Sequence, residues 1–180
     1  TALSAAVDVL ASRRSEFSDR NQQAIDITVS QVKRFDRTVL DLLELSRLDA
    51  GASESSLEYL RLSDLIERIM SRYGFSAIHF DSSVRNVDSA GIGEDETFID
   101  RRRIERILLN LLENARDHGG GATRVGLDRI GAHFHITVDD SGNGVDPSDL
   151  DRIFDRFARA TSSRNSTGSG LGLAIVREHA

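Results

Sequence analysis

The chain has 180 residues, enough to bury one substantial core or two small ones, with the composition of a soluble globular protein. A formal net charge of -6 and a pI near 5.4 provide no global positive field for nucleic acid or an anionic membrane, although local arginine clusters remain. The lack of cysteine excludes disulfides, thiolate metal sites and cysteine nucleophiles; no apolar run is long enough to span a bilayer, and no secretory signal is expected at Thr1.

Leu3, Val7 and Leu10 recur on one helical face, and Ile25, Val32, Phe35, Val39 and Leu42 recur at spacings of three, four and seven. Two helices are predicted, with a polar turn near Arg14 to Ser18. The second is long, and its apolar seam has the spacing of helices that pack in a bundle. A helical pair has too little core to stand alone, so two copies are expected to associate into four helices, with a plain structural hairpin as the alternative. Leu48 to Ser56, LDAGASESS, drops the periodicity and gathers Gly, Ala and Ser. Residues 1–50 are therefore expected to form the helical hairpin, 51–56 a linker and 57–180 a second, mixed α and β domain. Within it the sequence predicts a helix over Leu60 to Tyr73 and a short strand over Ala77 to Phe80. Asp100 is placed to cap a helix through Asn114 whose apolar face is Ile104, Ile107, Leu108, Leu111 and Leu112. Arg124 to Asp128 and His133 to Val138 alternate around Ile130 to Ala132, as an antiparallel hairpin would. Asp146 and the sole proline, Pro147, read as the cap and first turn of a helix running through Leu150 to Phe154.

Four clusters carry possible chemistry. In NLLENARDH, Asn110 and Asn114 stand four apart on one helix, so both amides point to one side and can meet one ligand. Amide oxygens suit a magnesium ion already partly neutralised by phosphates, although a polar stripe on an amphipathic helix would look the same. In DDSGNG, Asp140 ends a predicted strand beside Gly142 and Gly144, which presents a carboxylate next to open backbone; it can accept from the amino group of an adenine, or simply close an acidic turn. In IFDRFAR, Phe154 and Phe157 straddle Arg156, and Arg159 lies two residues beyond. The small, polar run that follows has the composition of a lid, whose guanidinium groups can close over phosphates. Such arginines also commonly pack their stems on the surface. Finally TGSGLGLAIV places Gly168, Gly170 and Gly172 before an apolar helical run, as in a loop whose backbone approaches a phosphate at a helix N-terminus. A tight loop entering a core helix is the alternative.

In this order, the four clusters resemble the N box, first G box, F box and second G box of the catalytic ATP-binding domain of two-component sensor histidine kinases. The resemblance runs from about Leu57 to Ala180, and the helices ending in LLELSRLDAG resemble the second half of that family's dimerisation and phosphoacceptor domain. It implies an α+β protein: a helical hairpin that is half of a dimeric four-helix bundle, then an α/β sandwich of the Bergerat ATP-binding type with a mixed, largely antiparallel sheet under helices. It also implies ATP and Mg2+ as cofactors. Asp140 would contact the adenine amino group with Gly142 and Gly144 beside it, Asn114 would coordinate magnesium with Asn110 nearby, and Gly168, Gly170, Leu171 and Gly172 would line the phosphates. Arg159 is the first choice for the γ-phosphate and Arg156 the second. His118 is implied to face the phosphates, but Asp117 stands where the family often has a basic residue.

The wider superfamily, with DNA gyrase, a heat-shock chaperone and mismatch-repair proteins, shares the fold, so fold alone does not choose the reaction. Those hydrolases place a glutamate, able to activate water, where this chain has Asn110; an amide cannot take a proton at neutral pH, which favours transfer to a protein acceptor. Glu113 lies about a quarter-turn off the Asn114 face. The family's histidine box resembles SHELRTPLT, and TALSAAVDVL looks like the residues after its proline, so the phosphorylated histidine is expected upstream of Thr1. None of His79, His118, His133, His135 or His179 has that context. The chain is likewise expected to lack closing strands beyond Ala180. A homodimer, a response-regulator partner, no nucleic acid, a cytoplasmic location, and membrane contact only through segments outside this chain complete the expectation.

Overall fold

The computed structural model describes residues 2–51, 55–84, 94–158 and 169–180. Two helices, α1 (Ala2–Ser12) and α2 (Asp19–Asp49), pack side by side across a short 3-10 turn at Arg14–Glu16. Arg14 fixes that turn: its guanidinium donates to both carboxylate oxygens of Asp26 at 2.8 and 2.7 Å and to Gln22 Oε1 at 2.7 Å.

The remaining elements are β1 (Leu57–Arg61), α3 (Leu62–Arg72), β2 (His79–Ser82), β3 (Glu96–Asp100), α4 (Arg101–His118), β4 (Ala122–Ile130), β5 (His133–Asp140) and α5 (Gly172–His179). Among the described residues the strands form two sheets. One is the antiparallel pair β1 and β3; the other has the order β2-β4-β5, with β2 parallel and β5 antiparallel to β4. Helices α3 and α4 lie against the three-stranded sheet. Leu62, Leu65, Ile66, Ile69 and Met70 of α3 and Leu108 and Leu112 of α4 pack with Val125 and Leu127 of β4, while Phe134, Ile136 and Val138 extend the core along β5. Each fully buried aliphatic side chain in such a layer contributes roughly 1.5–3 kcal/mol.

The predicted cap of α4 is in place, with Asp100 Oδ1 accepting from Arg102 N at 3.0 Å and Arg103 N at 3.4 Å. The predicted β-hairpin is also present, turning at Gly131, whose φ of +64° glycine adopts without strain. Two expectations are corrected. The helix expected from Leu60 starts at Leu62, because Leu57–Arg61 is a strand paired residue for residue with β3, from Leu57 opposite Asp100 to Arg61 opposite Glu96. The cap of α3 comes from far along the chain: buried Asp95 accepts from Leu62 N through its carbonyl at 3.1 Å and from Ser63 N through Oδ2 at 2.9 Å. The helix expected after Asp146 is a run of turns instead. Asp146 Oδ1 does accept from Ser148 N at 2.9 Å, but Asp149, Arg152 and Asp155 bond three residues back, and only Ile153 N reaches four back, to Asp149.

Candidate nucleotide site

Where α2, α4, the end of β5 and the start of α5 converge, a cavity of about 680 Å³ opens. Its walls include Asn110, Asn114 and His118 from α4, Asp140, Gly142 and Gly144 from the end of β5 and the turn beyond it, and Gly170 and Gly172 at the entry to α5. These come from the first, second and fourth sequence clusters, brought together from positions as far apart as Asn110 and Gly172.

The end of β5 is built around Asp140. Its Oδ1 accepts from Gly142 N at 2.8 Å, which holds the carboxylate in a tight loop. A Cβ at Gly119 would fall 2.4 Å from Asp140 Cγ, and one at Gly142 would fall 2.8 Å from Gly119 Cα. Only glycine at both positions lets the C-terminus of α4 touch this loop, and Ser141 N completes the junction by donating to Gly119 O at 3.0 Å. Gly119 was missed by sequence reasoning. The run of three glycines directly after the asparagine helix was the available signal.

Asn110 donates from Nδ2 to Arg106 O at 2.9 Å, which directs its Oδ1 toward α5, where a Cβ at Gly172 would lie 3.0 Å away. Gly170 takes φ +74°, and a Cβ there would press on the backbone of Phe157 and Ala158 at 2.8 to 3.0 Å. The Phe157 amide donates to Gly170 O at 2.8 Å, and Phe157 itself has φ +63°, an unusual conformation for an aromatic residue. The aromatic-arginine segment is thus anchored to the glycine loop at its last described residues. Among the described residues no group of three His, Asp or Glu side chains is arranged to hold a metal ion. The amide oxygens of α4 fit a magnesium ion that brings most of its ligands with it, as phosphate and water, and do not make a protein cage.

Four sequence candidates are not among the described residues that line the cavity. Arg159 and Gly168 lie outside the described residues. Arg156 does not line the cavity: its two terminal nitrogens donate to both carboxylate oxygens of Asp49 on α2, at 2.7 and 2.6 Å, and these bonds hold the Asp49 carboxyl below its ordinary pKa. Leu171 is fully buried against Leu45 and Ile175, so only its backbone can serve a ligand. Glu113 shares the cavity wall with Asn114 and is not turned away from it, and it pairs there with Arg37 of α2 at 3.0 Å.

α2 meets the rest of the molecule along an acidic stripe. Arg106 pairs with Asp41 at 2.5 Å and Glu44 at 2.6 Å, and His179 Nε2 lies 2.8 Å from Glu44 Oε1. Burial raises the Asp41 carboxyl, and the charge and hydrogen bond of Arg106 only partly offset it. Burial also works against the charge on Glu44, but there the His179 hydrogen bond and the Arg106 charge prevail and lower it.

A helix carrying paired asparagines, a strand-end aspartate held by glycines and a glycine loop opening a helix thus line one cavity. The family described as histidine kinase-, DNA gyrase B- and HSP90-like ATPase matches residues 99–180. The chain is 36% identical over 166 residues to the signal transduction histidine-protein kinase AfsQ2 of Streptomyces coelicolor, covering 91% of this chain and 29% of that protein. Against the sensor histidine kinase MtrB of Mycobacterium tuberculosis the identity is 32% over 183 residues, covering 100% of this chain and 32% of MtrB. The crystal structure of full-length ShkA in complex with AMPPNP superposes with a TM-score of 0.62 at 26% identity, over 91% of this chain and 34% of ShkA. The chain belongs to the sensor histidine kinase family and carries its ATPase-type catalytic domain. It spans about three-tenths of the length of these curated relatives.

Proposed function

We propose that this chain is the dimerisation and ATP-binding catalytic region of a sensor histidine kinase, with residues 1–50 as the dimerisation hairpin, 51–56 as the linker and 57–180 as the catalytic domain. The observation that carries the proposal is the convergence of Asn110, Asn114, Asp140, Gly170 and Gly172 on one cavity. Asp140 accepts from the adenine amino group, and its own bond from Gly142 N presets the carboxylate. Asn114, assisted by Asn110, offers an amide oxygen to a magnesium ion that accompanies the phosphates. The backbone from Gly170 to Gly172 and the ring of His118 take the phosphate side, together with Gly168 and Arg159. Bound ATP supplies the γ-phosphoryl group: its bond to the β-phosphate oxygen breaks as one to an imidazole nitrogen of a histidine outside this chain forms, and ADP departs. The domain's own part is to position and neutralise, which dominates phosphoryl transfer. Asn110, standing where a hydrolase needs a base, leaves water unactivated.

The apolar side chains left exposed on α2, among them Ile27, Phe35, Leu40 and Leu43, support a homodimer through the hairpin. Membership of the family supports a response regulator as the protein that receives the phosphoryl group, and a cytoplasmic site of action. Calorimetric titration of Mg2+ with ADP or AMPPNP tests the pocket. Asp140→Asn is expected to weaken both nucleotides by at least about tenfold, because an amide turns a donor toward the adenine amino group. Unchanged affinity in that variant would refute the assignment.

A further inference from the structure

The face of α2 carrying Ser30, Lys33, Arg34, Arg37, Thr38 and Asp41 forms the wall of the cavity opposite Asn110 and Asn114. These positions are spaced by three and four, so they share one side of the helix. α2 runs antiparallel to α4: Asp41 meets Arg106, and one turn earlier Arg37 meets Glu113. Arg37 is therefore level with Glu113 and Asn114, the part of α4 assigned to metal and phosphates, and away from Asp140 and the base. Its partner is a carboxylate 3.0 Å away, and with the Arg37 side chain 52% exposed and that of Glu113 27% exposed, water reaches the contact and it exchanges easily.

We propose that Arg37 is a phosphate ligand supplied by the hairpin of the same chain, which holds Glu113 when no triphosphate is present and moves to the terminal phosphate when one binds. The inference rests on the nucleotide assignment above. A guanidinium forms charge-assisted, bidentate contacts with a phosphate as well as with a carboxylate, so Glu113 occupies in the resting state the role that the phosphate takes over. The terminal phosphate of a triphosphate adds charge that a diphosphate lacks, so the contact distinguishes the two nucleotides. It also couples occupancy to geometry: a triphosphate would bridge α2 to α4, and a diphosphate would leave that bridge to Glu113 alone.

The test is calorimetric titration of AMPPNP and ADP, each with Mg2+, into the unaltered chain and the variants Arg37→Ala, Arg37→Lys and Asp140→Asn, with circular dichroism to check that each is folded. Arg37→Ala is expected to weaken AMPPNP by about five- to tenfold and ADP by less than about twofold, and Arg37→Lys to restore part of the difference as a point charge. Equal losses for the two nucleotides, or no loss for either, overturn the role of Arg37 while leaving the pocket intact. Failure of the unaltered chain to bind either nucleotide, or full binding by Asp140→Asn, overturns the pocket assignment itself and this inference with it.

Discussion

The side chains of α2 that meet the rest of the chain and those that do not differ in chemistry. The face turned to α4 and α5 is mainly ionic, with Asp41, Glu44 and Asp49 opposite Arg106, His179 and Arg156, and it has a small apolar centre in which Leu45 and Leu48 meet Leu171 and Ile175. Away from that contact the helix carries uncovered apolar side chains: Phe35, Leu40 and Leu43 are each more than half exposed. Small, polar contacts resemble the releasable interfaces between domains of one chain, whereas a broad apolar seam resembles a permanent subunit interface. One helix can therefore hold a proposed partner copy tightly and its own catalytic domain loosely. That difference is what a kinase needs if the catalytic domain must leave one docking position to reach another.

The sharpest contrast between the faces is a pair of equal truncations. Leu45→Ala removes a side chain that is 2% exposed from a cluster of four residues and is expected to lower unfolding stability by about 2–4 kcal/mol in denaturant melts. Leu40→Ala, at 62% exposure, is expected to change the stability of the single chain by less than about 0.5 kcal/mol. Its effect should appear instead as a higher dissociation constant for the dimer in analytical ultracentrifugation. Similar losses from the two variants at low protein concentration would erase the distinction between the faces.

The same contrast explains what the sequence made legible. The three clusters that meet at the cavity could be picked out because each is local: an asparagine pair one helical turn apart, an aspartate between a strand and glycines, a glycine loop before an apolar run. Asp100 announced its helix because the cap and the helix are adjacent. What escaped depends on distant partners. β1 reads as the start of a helix until Glu96–Asp100 is placed beside it, and α3 takes its cap from Asp95, more than 30 positions away. Arg156 shows the same limit within the site. Its neighbours in sequence suggest a phosphate ligand, but what it touches is Asp49, a residue 107 positions earlier. No local pattern encodes the acidic stripe of α2 either, because its spacing becomes meaningful only once Arg106 and His179 are known to lie opposite.

A smaller effect separates two acids of the ionic face, buried Asp41 and partly buried Glu44. The folded pKa of Glu44 lies below its ordinary 4.5, so its stabilisation is fully present above that pH and is lost as the pH falls below 4.5 through the folded value. Asp41 has the opposite sign. Its folded pKa lies above 3.8, so its cost to the folded state is present at neutral pH and fades as the carboxyl takes up a proton. Denaturant melts across this acid range should show the unaltered chain losing stability more steeply below pH 4.5 than Glu44→Gln does. Parallel curves would mean that the contact of Glu44 with Arg106 and His179 carries no net stabilisation in solution.

The weakest point of the ionic face is the pair at its end. Arg156 and Asp49 are both exposed, and an exposed pair between groups that water solvates well adds little to stability even when its geometry is bidentate. Asp49→Asn is therefore expected to leave the unfolding midpoint unchanged within error. It releases Arg156 from Asp49, with Glu178 at 3.9 Å as its remaining ion-pair partner among the described residues. Because Arg156 does not line the cavity, AMPPNP affinity should also stay the same. A gain in affinity for AMPPNP but not for ADP would mean that Arg156 swings to the terminal phosphate once freed. In that case the pair with Asp49 would be a brake on the nucleotide site, and the ionic face of α2 would control catalysis as well as docking.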